Sequence, residues 1–175
     1  SGWKGFFAYC INADPMELIA NIKKIYYHTC TPNVIGGCHI NFWSGLGAYT
    51  SARGFDIATH YQRSGIRILT DPSNKYSLAW PVLVKLGCMA GVDSMHVGML
   101  GGYYPEGESE EETLEAIKIC QKYDVIPSLS CGMNPVLARE IKERIGNNWM
   151  ASVGGWLHTG DSLIKKVKEM SESLN

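Results

Sequence analysis

The sequence has no marked excess of charge and no long hydrophobic run. Its 16 Lys and Arg residues nearly balance 17 Asp and Glu residues, which leaves a formal net charge of −1 over 175 residues. This balance argues against nucleic acid or a membrane surface as a partner. No apolar run approaches the roughly 18 residues of a membrane span, and the start of the chain does not resemble a signal peptide. We therefore expect a cytoplasmic protein with no nucleic acid and no membrane among its partners.

Signatures of several common enzyme classes are also missing. The chain has no Gly-x-x-x-x-Gly-Lys phosphate loop, no Gly-x-Ser-x-Gly nucleophile turn and no His-Glu-x-x-His zinc helix. Its six cysteines include no Cys-x-x-Cys pair. Because several of them lie in apolar runs, we expect reduced core residues; disulfides or a zinc site remain the alternatives.

What the chain does have is a regular alternation of two patterns. Short apolar runs, typical of buried strands, are followed by apolar residues at helical spacing. The predicted strands are 6–12, 34–42, 55–61, 92–98, 125–130 and 149–153. The predicted helices begin at about 15, 44, 78, 109, 135 and 161, and the one at Ser109 has a capping box with Glu112. Alternating strands and helices predict an α/β fold with a parallel sheet, built from about six β-α units in a single domain over 1–175.

Two architectures fit this alternation. One is an open, doubly wound sheet, although the first strand–helix turn at 12–15 lacks the G-x-G-x-x-G fingerprint of dinucleotide-binding sheets. The other is a (β/α)8 barrel. A complete barrel usually needs about 250 residues, so this chain would be a partial barrel that is short of about two units.

Glycines at the ends of the last two predicted strands are the most informative feature. Ser130-Cys131-Gly132 follows one strand, and Gly154-Gly155 follows the next. Glycine lets the backbone approach a ligand closely, and in barrels the loops after strands seven and eight commonly bind phosphate. The pattern predicts phosphate binding by Ser130, Gly132, Gly154 and Gly155; the alternative is that these glycines only form tight turns.

Two histidines and one arginine are placed where barrel active sites lie. His60 and His96 come near the ends of predicted strands, and strand C-termini carry the catalytic groups of barrels. Arg63 follows His60 closely, and its guanidinium matches the geometry of phosphate. The alternatives are a hydrogen-bonded structural role for each histidine and a surface ion pair for the arginine.

Five segments together resemble the RuBisCO large-chain superfamily. The most specific is 83–98, LVKLGCMAGVDSMHVG, which is similar to the helix and sixth strand of that barrel. The segments 60–63, 127–132 and 152–156 are similar to its fifth, seventh and eighth strands, and 4–14 is more weakly similar to its third.

This resemblance implies a fold, a site and a chemistry. The chain would be strands three to eight of a barrel, without the first two β-α units and the N-terminal domain. Ser130, Gly132, Gly154 and Gly155 would bind one phosphate of a sugar phosphate and Arg63 the other, with His60 and His96 as candidate catalytic residues. Family chemistry is enolisation or isomerisation of phosphorylated keto-sugars with Mg²⁺. The metal ligands and the lysine base of the family lie on strands without a counterpart in this sequence, so no residue of the chain is predicted to bind metal.

Three positions depart from the carboxylase pattern. Tyr103 stands where the loop after strand six carries a lysine, Gln62 replaces a histidine, and Cys131 replaces a glycine. The loss of the lysine favours a RuBisCO-like protein of the non-carboxylating kind. A divergent carboxylase fragment, a catalytically inactive fragment that binds a phosphorylated ligand or serves assembly, and an unrelated phosphate-binding barrel remain alternatives. Since six strands do not close an eight-stranded barrel, we also expect a homo-oligomer, or a chain that was trimmed from a longer one.

Overall fold

A single parallel sheet organises the protein. The computed structural model describes residues 7–11, 15–29, 35–55, 58–62, 67–101, 108–160 and 162–174. Six strands pair in chain order, each parallel to the next: β1 (Phe7–Ile11), β2 (Ile35–Asn41), β3 (Ala58–Gln62), β4 (Ser94–Gly98), β5 (Ile126–Leu129) and β6 (Met150–Ala151). A doubly wound sheet reverses its strand order at a switch point, whereas this order never reverses. The sheet therefore fits a barrel segment rather than the open alternative.

Helical segments separate the strands. They are α1 (Pro15–Thr29), α2 (Leu46–Arg53), α3 (Arg67–Thr70), α4 (Trp80–Met89), α5 (Glu110–Lys122), α6 (Pro135–Ile145) and α7 (Leu163–Leu174), with short 3-10 helices at Phe42–Ser44 and Trp156–His158. The predicted α/β class with a parallel sheet is confirmed. None of the helices in the described ranges is long and apolar enough to cross a membrane.

Local sequence signals explain where two helices begin. The Ser109 hydroxyl accepts a hydrogen bond from the Glu112 N–H at 3.1 Å, and the Glu112 carboxylate accepts one from the Ser109 N–H at 3.1 Å, so the predicted capping box is present. Asn134 caps α6 by accepting from the N–H groups of Val136 and Leu137 at 3.0 and 3.1 Å. Its neighbour Pro135 fits the first turn, where no N–H partner is needed.

Two elements differ from the sequence expectation. The short helix α3 falls in a polar stretch whose apolar spacing is too brief to predict it. Strand β6 has two residues, although the apolar run predicted five. Within the described residues β6 pairs with β5 alone, so it has a ladder of hydrogen bonds on one side only.

The two faces of the sheet differ in character, because successive side chains of a strand point to opposite faces. One, the helix face, is apolar and fully buried; it carries Ile40, Tyr61, Met95, Val97 and Leu129. Helices pack on it: Tyr49 of α2 stacks on Tyr61 with ring centroids 5.3 Å apart, and the Trp80 indole of α4 donates to the Val97 carbonyl at 2.8 Å. The other, the polar face, carries His39, His60, Ser94, His96 and Ser128.

The cysteines only partly follow the expectation of core residues. Cys38, Cys88 and Cys120 are buried free thiols, as expected. Cys131 is free but exposed, so its prediction as a core residue is wrong; it lies just beyond the end of β5, where the chain turns towards solvent. The side chains of Cys10 and Cys30 are outside the described part.

Candidate functional site

The polar face is arranged in two layers by the strand register. His60 of β3 lies opposite Ser94 of β4, and His96 lies opposite Ser128 of β5. Since residues two apart on a strand are separated by roughly 7 Å, His96 sits one layer nearer the C-terminal ends of the strands than Ser94 and His60. The candidate site is therefore an upper layer at the strand ends above a lower, more buried one.

The lower layer holds a pair of histidines. The Nδ1 atom of His60 is 2.8 Å from the Ser94 hydroxyl, and its ring lies 4.4 Å from that of His39, centroid to centroid. Burial, followed by the neighbouring His39 and His96, lowers the pKa of His60 to about 3. Burial also lowers the pKa of His39. Both imidazoles are therefore uncharged at neutral pH.

The upper layer joins β4 to the end of β5. His96 Nε2 lies 2.5 Å from the Ser130 hydroxyl, and the Ser130 N–H donates to the Gly98 carbonyl at 3.2 Å. The register of β4 against β5 shifts between His96 and Gly98, whose φ of 131° is open to glycine alone among ordinary residues. This bulge ends the strand pairing and brings the imidazole and the hydroxyl together at the sheet edge.

The chain after Ser130 turns through two left-handed residues. Cys131 has a φ of 62° and Gly132 a φ of 78°. The first value is unusual for a residue with a side chain, and it explains why a glycine suits this position. The turn ends where the Asn134 amide donates to the Gly132 carbonyl at 3.1 Å and the same side chain caps α6.

The loop after β6 carries Gly154 and Gly155, which follow Ser152 closely in the sequence. The hydroxyls of Ser128 and Ser152 are 2.8 Å apart, and the Ser152 N–H donates to the Leu129 carbonyl at 2.8 Å, which ties the two strand ends together. Both glycines are exposed, and a Cβ added to either would meet nothing within 4 Å. Neither has a positive φ. The fold therefore does not require glycine at these two positions, which weakens the interpretation that they only form a tight turn.

The predicted site residues thus fall into three groups. His96 and Ser130 are brought into contact, while Gly132, Gly154 and Gly155 lie on the loops that follow β5 and β6. His60 lies one layer deeper and reaches Ser94 instead. Arg63 and Tyr103 lie outside the described residues. Sequence reasoning missed Ser94 and Ser152 as partners; the alternation of side chains along a strand, with Ser94 two residues before His96, is the signal that could have identified the first.

A cavity of about 300 Å³ lies at the opposite end of the sheet. It is lined by Lys142, Asn147, Trp149, Ala151 and Leu174, and the first three of these residues precede β6 in the sequence. In barrels the N-terminal face serves stability and the C-terminal face serves chemistry, so this cavity does not compete with the strand-end site.

The described residues do not form a metal site. Within those ranges, no group of three or more His, Cys, Asp and Glu side chains is arranged to hold a metal ion. The Mg²⁺ that the family resemblance implies therefore does not fit the side chains of the described ranges.

Comparison with known proteins finds its matches among solved structures. No family model matches the chain, and no curated protein matches it. A RuBisCO-like protein from Burkholderia fungorum superposes on 99% of the chain with a TM-score of 0.81 at 19% identity. A RuBisCO-like protein (MtnW) from Alicyclobacillus acidocaldarius subsp. acidocaldarius DSM 446 superposes on 99% with a TM-score of 0.80 at 17% identity. A dimeric archaeal RuBisCO from Hyperthermus butylicus superposes on 97% with a TM-score of 0.77 at 22% identity.

The likeness extends over nearly all of this chain but over less than half of the other chains. The covered shares of the three are 44%, 44% and 43%. At these identities the comparison shows a shared fold. The resemblance to the RuBisCO large-chain superfamily is thus confirmed in structure: the chain has the fold of the matching part of RuBisCO-like proteins and RuBisCO.

Proposed function

We propose that residues 1–175 are the C-terminal barrel portion of a RuBisCO-like protein of the non-carboxylating kind, corresponding to barrel strands three to eight. The proposed ligand is a phosphorylated keto-sugar, bound at the C-terminal ends of the strands. The observation that carries the proposal is the contact between His96 and Ser130 at that edge, beside glycines that the fold itself does not require. The dimeric state of the Hyperthermus butylicus protein supports our expectation of a homo-oligomer.

Phosphate binding follows from the chemistry of the strand-end loops. Backbone N–H groups and hydroxyls are common ligands of phosphate oxygens, and glycine allows a ligand close to the main chain. Ser130 supplies a hydroxyl that His96 orients, while Gly132, Gly154 and Gly155 leave the main chain accessible. Arg63 remains the predicted ligand of a second phosphate.

The two histidines have different proposed roles. His96 lies at the edge in contact with the Ser130 hydroxyl, where it can hold or move a proton next to a bound sugar. His60 stays uncharged above its pKa of about 3, so near neutral pH it acts through hydrogen bonds rather than by gaining a proton. Its contact with Ser94 also aligns the layer below the site.

In this proposal, residues other than the described ones bind the Mg²⁺ of the family. Mg²⁺ is the family's means of stabilising the enolate of a keto-sugar, and the described residues do not hold it. A second candidate function is therefore ligand binding or assembly without catalysis. It is favoured by Tyr103, which stands where the loop after strand six of the family carries a lysine.

The glycines provide a direct test. Gly155→Val adds a side chain to an open position with an ordinary φ of −53°, so the fold should tolerate it. We expect the affinity for ribulose bisphosphate, measured by calorimetry, to fall at least ~10-fold, the effect of losing roughly 1.4 kcal/mol of binding free energy. Gly47→Val is the matched control, since Gly47 also has nothing within 4 Å of an added Cβ but lies on α2.

Unchanged affinity in Gly155→Val, with a wild-type protein that binds, would remove the loop after β6 from the site. Incubation of the full-length parent protein with ribulose bisphosphate and labelled CO2 addresses the reaction itself. Robust carboxylation would contradict the non-carboxylating assignment and favour a divergent carboxylase. Phosphosugar binding without any turnover would favour the inactive alternative.

A further inference from the structure

One lysine holds the loop that carries Gly154 and Gly155. Lys166 lies on α7, and its ammonium donates to the Trp156 carbonyl at 2.5 Å, to the Thr159 hydroxyl at 3.0 Å and to the Thr159 carbonyl. The same ammonium stands 4.8 Å from the centroid of the Trp156 ring. An ammonium group has three donors, and three acceptors of one loop surround it.

These contacts begin directly after the glycines. The short helix at Trp156–His158 follows Gly155, and the Trp156 carbonyl also accepts from the Thr159 N–H at 3.4 Å and the Thr159 hydroxyl at 3.0 Å. The His158 N–H donates back to the Gly155 carbonyl at 3.2 Å. The conformation of Gly155 is thereby linked through one turn of chain to the side chain of Lys166.

The position of Lys166 on α7 distinguishes it from its neighbours. Lys165 is exposed and Lys168 is exposed, and the three acceptors of the loop are reached by the ammonium of Lys166. Charge-assisted hydrogen bonds are stronger than neutral ones, and a cation over an indole ring adds a further attraction. Their combined effect is to order a loop that, by its glycines, would otherwise be among the more adaptable parts of the chain.

We propose that Lys166 is a positioning residue for phosphate binding, which holds the Gly154–Gly155 main chain in a binding-competent conformation without contacting the ligand. The inference rests on the proposed function of this loop. Because all three donors of the ammonium point to the loop, Lys166 acts through Trp156 and Thr159. Its positive charge also makes the surroundings of the loop more favourable to an anion.

The test uses Lys166→Met, which keeps an apolar stem and removes both the charge and the donors. With inorganic phosphate as the probe, we expect about tenfold weaker affinity by calorimetry. This is the effect of losing one hydrogen bond between the main chain of the loop and the charged phosphate. Amide hydrogen exchange across 154–159 should become faster. Lys165→Met, next to it on the exposed side, should change neither quantity, and Lys166→Arg should restore most of the affinity.

Each outcome decides the inference. If Lys166→Met binds phosphate as the wild type does, the positioning role is overturned even where the loop exchanges faster, and the proposed function stands. If the wild type binds neither phosphate nor ribulose bisphosphate, the proposed function fails and the inference fails with it. Should Lys166→Met not fold, Thr159→Val decides, because it removes one acceptor and keeps the charge. We expect about threefold weaker affinity for it, as for one ordinary hydrogen bond, and unchanged affinity would overturn the inference.

Discussion

The helix face and the polar face of the sheet are made by the same strands, yet they differ in almost every physical property. On the helix face, Met95 and Val97 are fully buried between strand and helices. On the polar face, Ser94 and His96 alternate with them along β4 and form hydrogen bonds to groups on β3 and at the end of β5. One face removes apolar surface from water, which drives folding, and the other arranges polar groups towards the strand ends.

This difference shows how a strand can serve stability and chemistry at once. In a parallel sheet, neighbouring strands place residues of equal register on the same face, so a polar residue on one strand meets a polar residue on the next. His60 meets its register partner Ser94, and Ser128, whose register partner is Met150, reaches Ser152 two residues further along the chain. The polar face therefore pairs these polar groups with one another. The candidate site residues His96 and Ser130 lie in the upper layer, at the ends of the strands.

The sharpest test of the comparison replaces two consecutive residues of β4. Met95→Ala removes a fully buried side chain against α4, where a Cβ at Gly87 would overlap its Cε atom, and should lower the free energy of unfolding by about 2–5 kcal/mol. His96→Ala should cost about 1 kcal/mol, as for one hydrogen bond. Urea unfolding measures both effects.

Ligand binding should reverse that order. His96→Ala should weaken binding of ribulose bisphosphate about tenfold because Ser130 loses the group that orients it, while folded Met95→Ala should bind as the wild type does. Equal losses of stability in the two variants, or a binding defect confined to Met95→Ala, would contradict the assignment of stability to the helix face and of ligand binding to the polar face.

The pH dependence of stability tests the lower layer of the polar face. The pKa of His60 is about 3 in the folded protein against an ordinary 6.5, so below pH 6.5 the unfolded chain takes up a proton that folded His60 does not. The free energy of unfolding should therefore be greatest above pH 6.5. It should fall by up to roughly 1.4 kcal/mol per pH unit from this residue as the pH drops from 6.5 towards 3.

Comparing the wild type with a His60 variant isolates the contribution of His60 to the pH dependence of stability. In His60→Gln, which keeps a polar group near Ser94, the decline between about pH 6.5 and pH 4 should be shallower than in the wild type. Carboxylates contribute equally to both proteins and cancel in the comparison. Parallel curves of stability against pH would show that His60 gains a proton as readily in the folded state as in the unfolded chain.

The smallest expected effect concerns the turn above the polar face. Cys131→Gly places glycine where φ is 62° and should raise the free energy of unfolding by about 0.5–1 kcal/mol, because the strain of a left-handed residue is relieved. Thermal unfolding measures the gain. Cys131→Ala is the control, since it removes the thiol and retains the strain, and a gain of the same size in both variants would assign the effect to the thiol.

The fold followed from the sequence more completely than the site did. Strand and helix positions depend on local patterns, and the capping box at Ser109 and the proline start of α6 appear as expected. The contact of His96 with Ser130 joins residues 34 positions apart. No local pattern contains it, since it depends on the register of β4 against β5 and on the bulge at Gly98.

Lys166 is a second residue whose role local sequence patterns do not reveal. In the sequence it is one of several lysines on an amphipathic helix, and nothing local separates it from Lys165. The difference arises because α7 turns one side towards the loop after β6, so one ammonium reaches three acceptors while its neighbour faces solvent.

By itself, the sequence determined the alternation of strands and helices, the parallel character of the sheet and the glycines at the last two strand ends. These properties depend on side-chain periodicity and on backbone preferences, which act over a few residues. Tertiary structure alone decided the strand order without reversal, the burial that keeps His60 uncharged, and the pairing of His96 with Ser130. Those properties depend on which strands become neighbours and in which register, and that is settled only when the whole sheet packs against its helices.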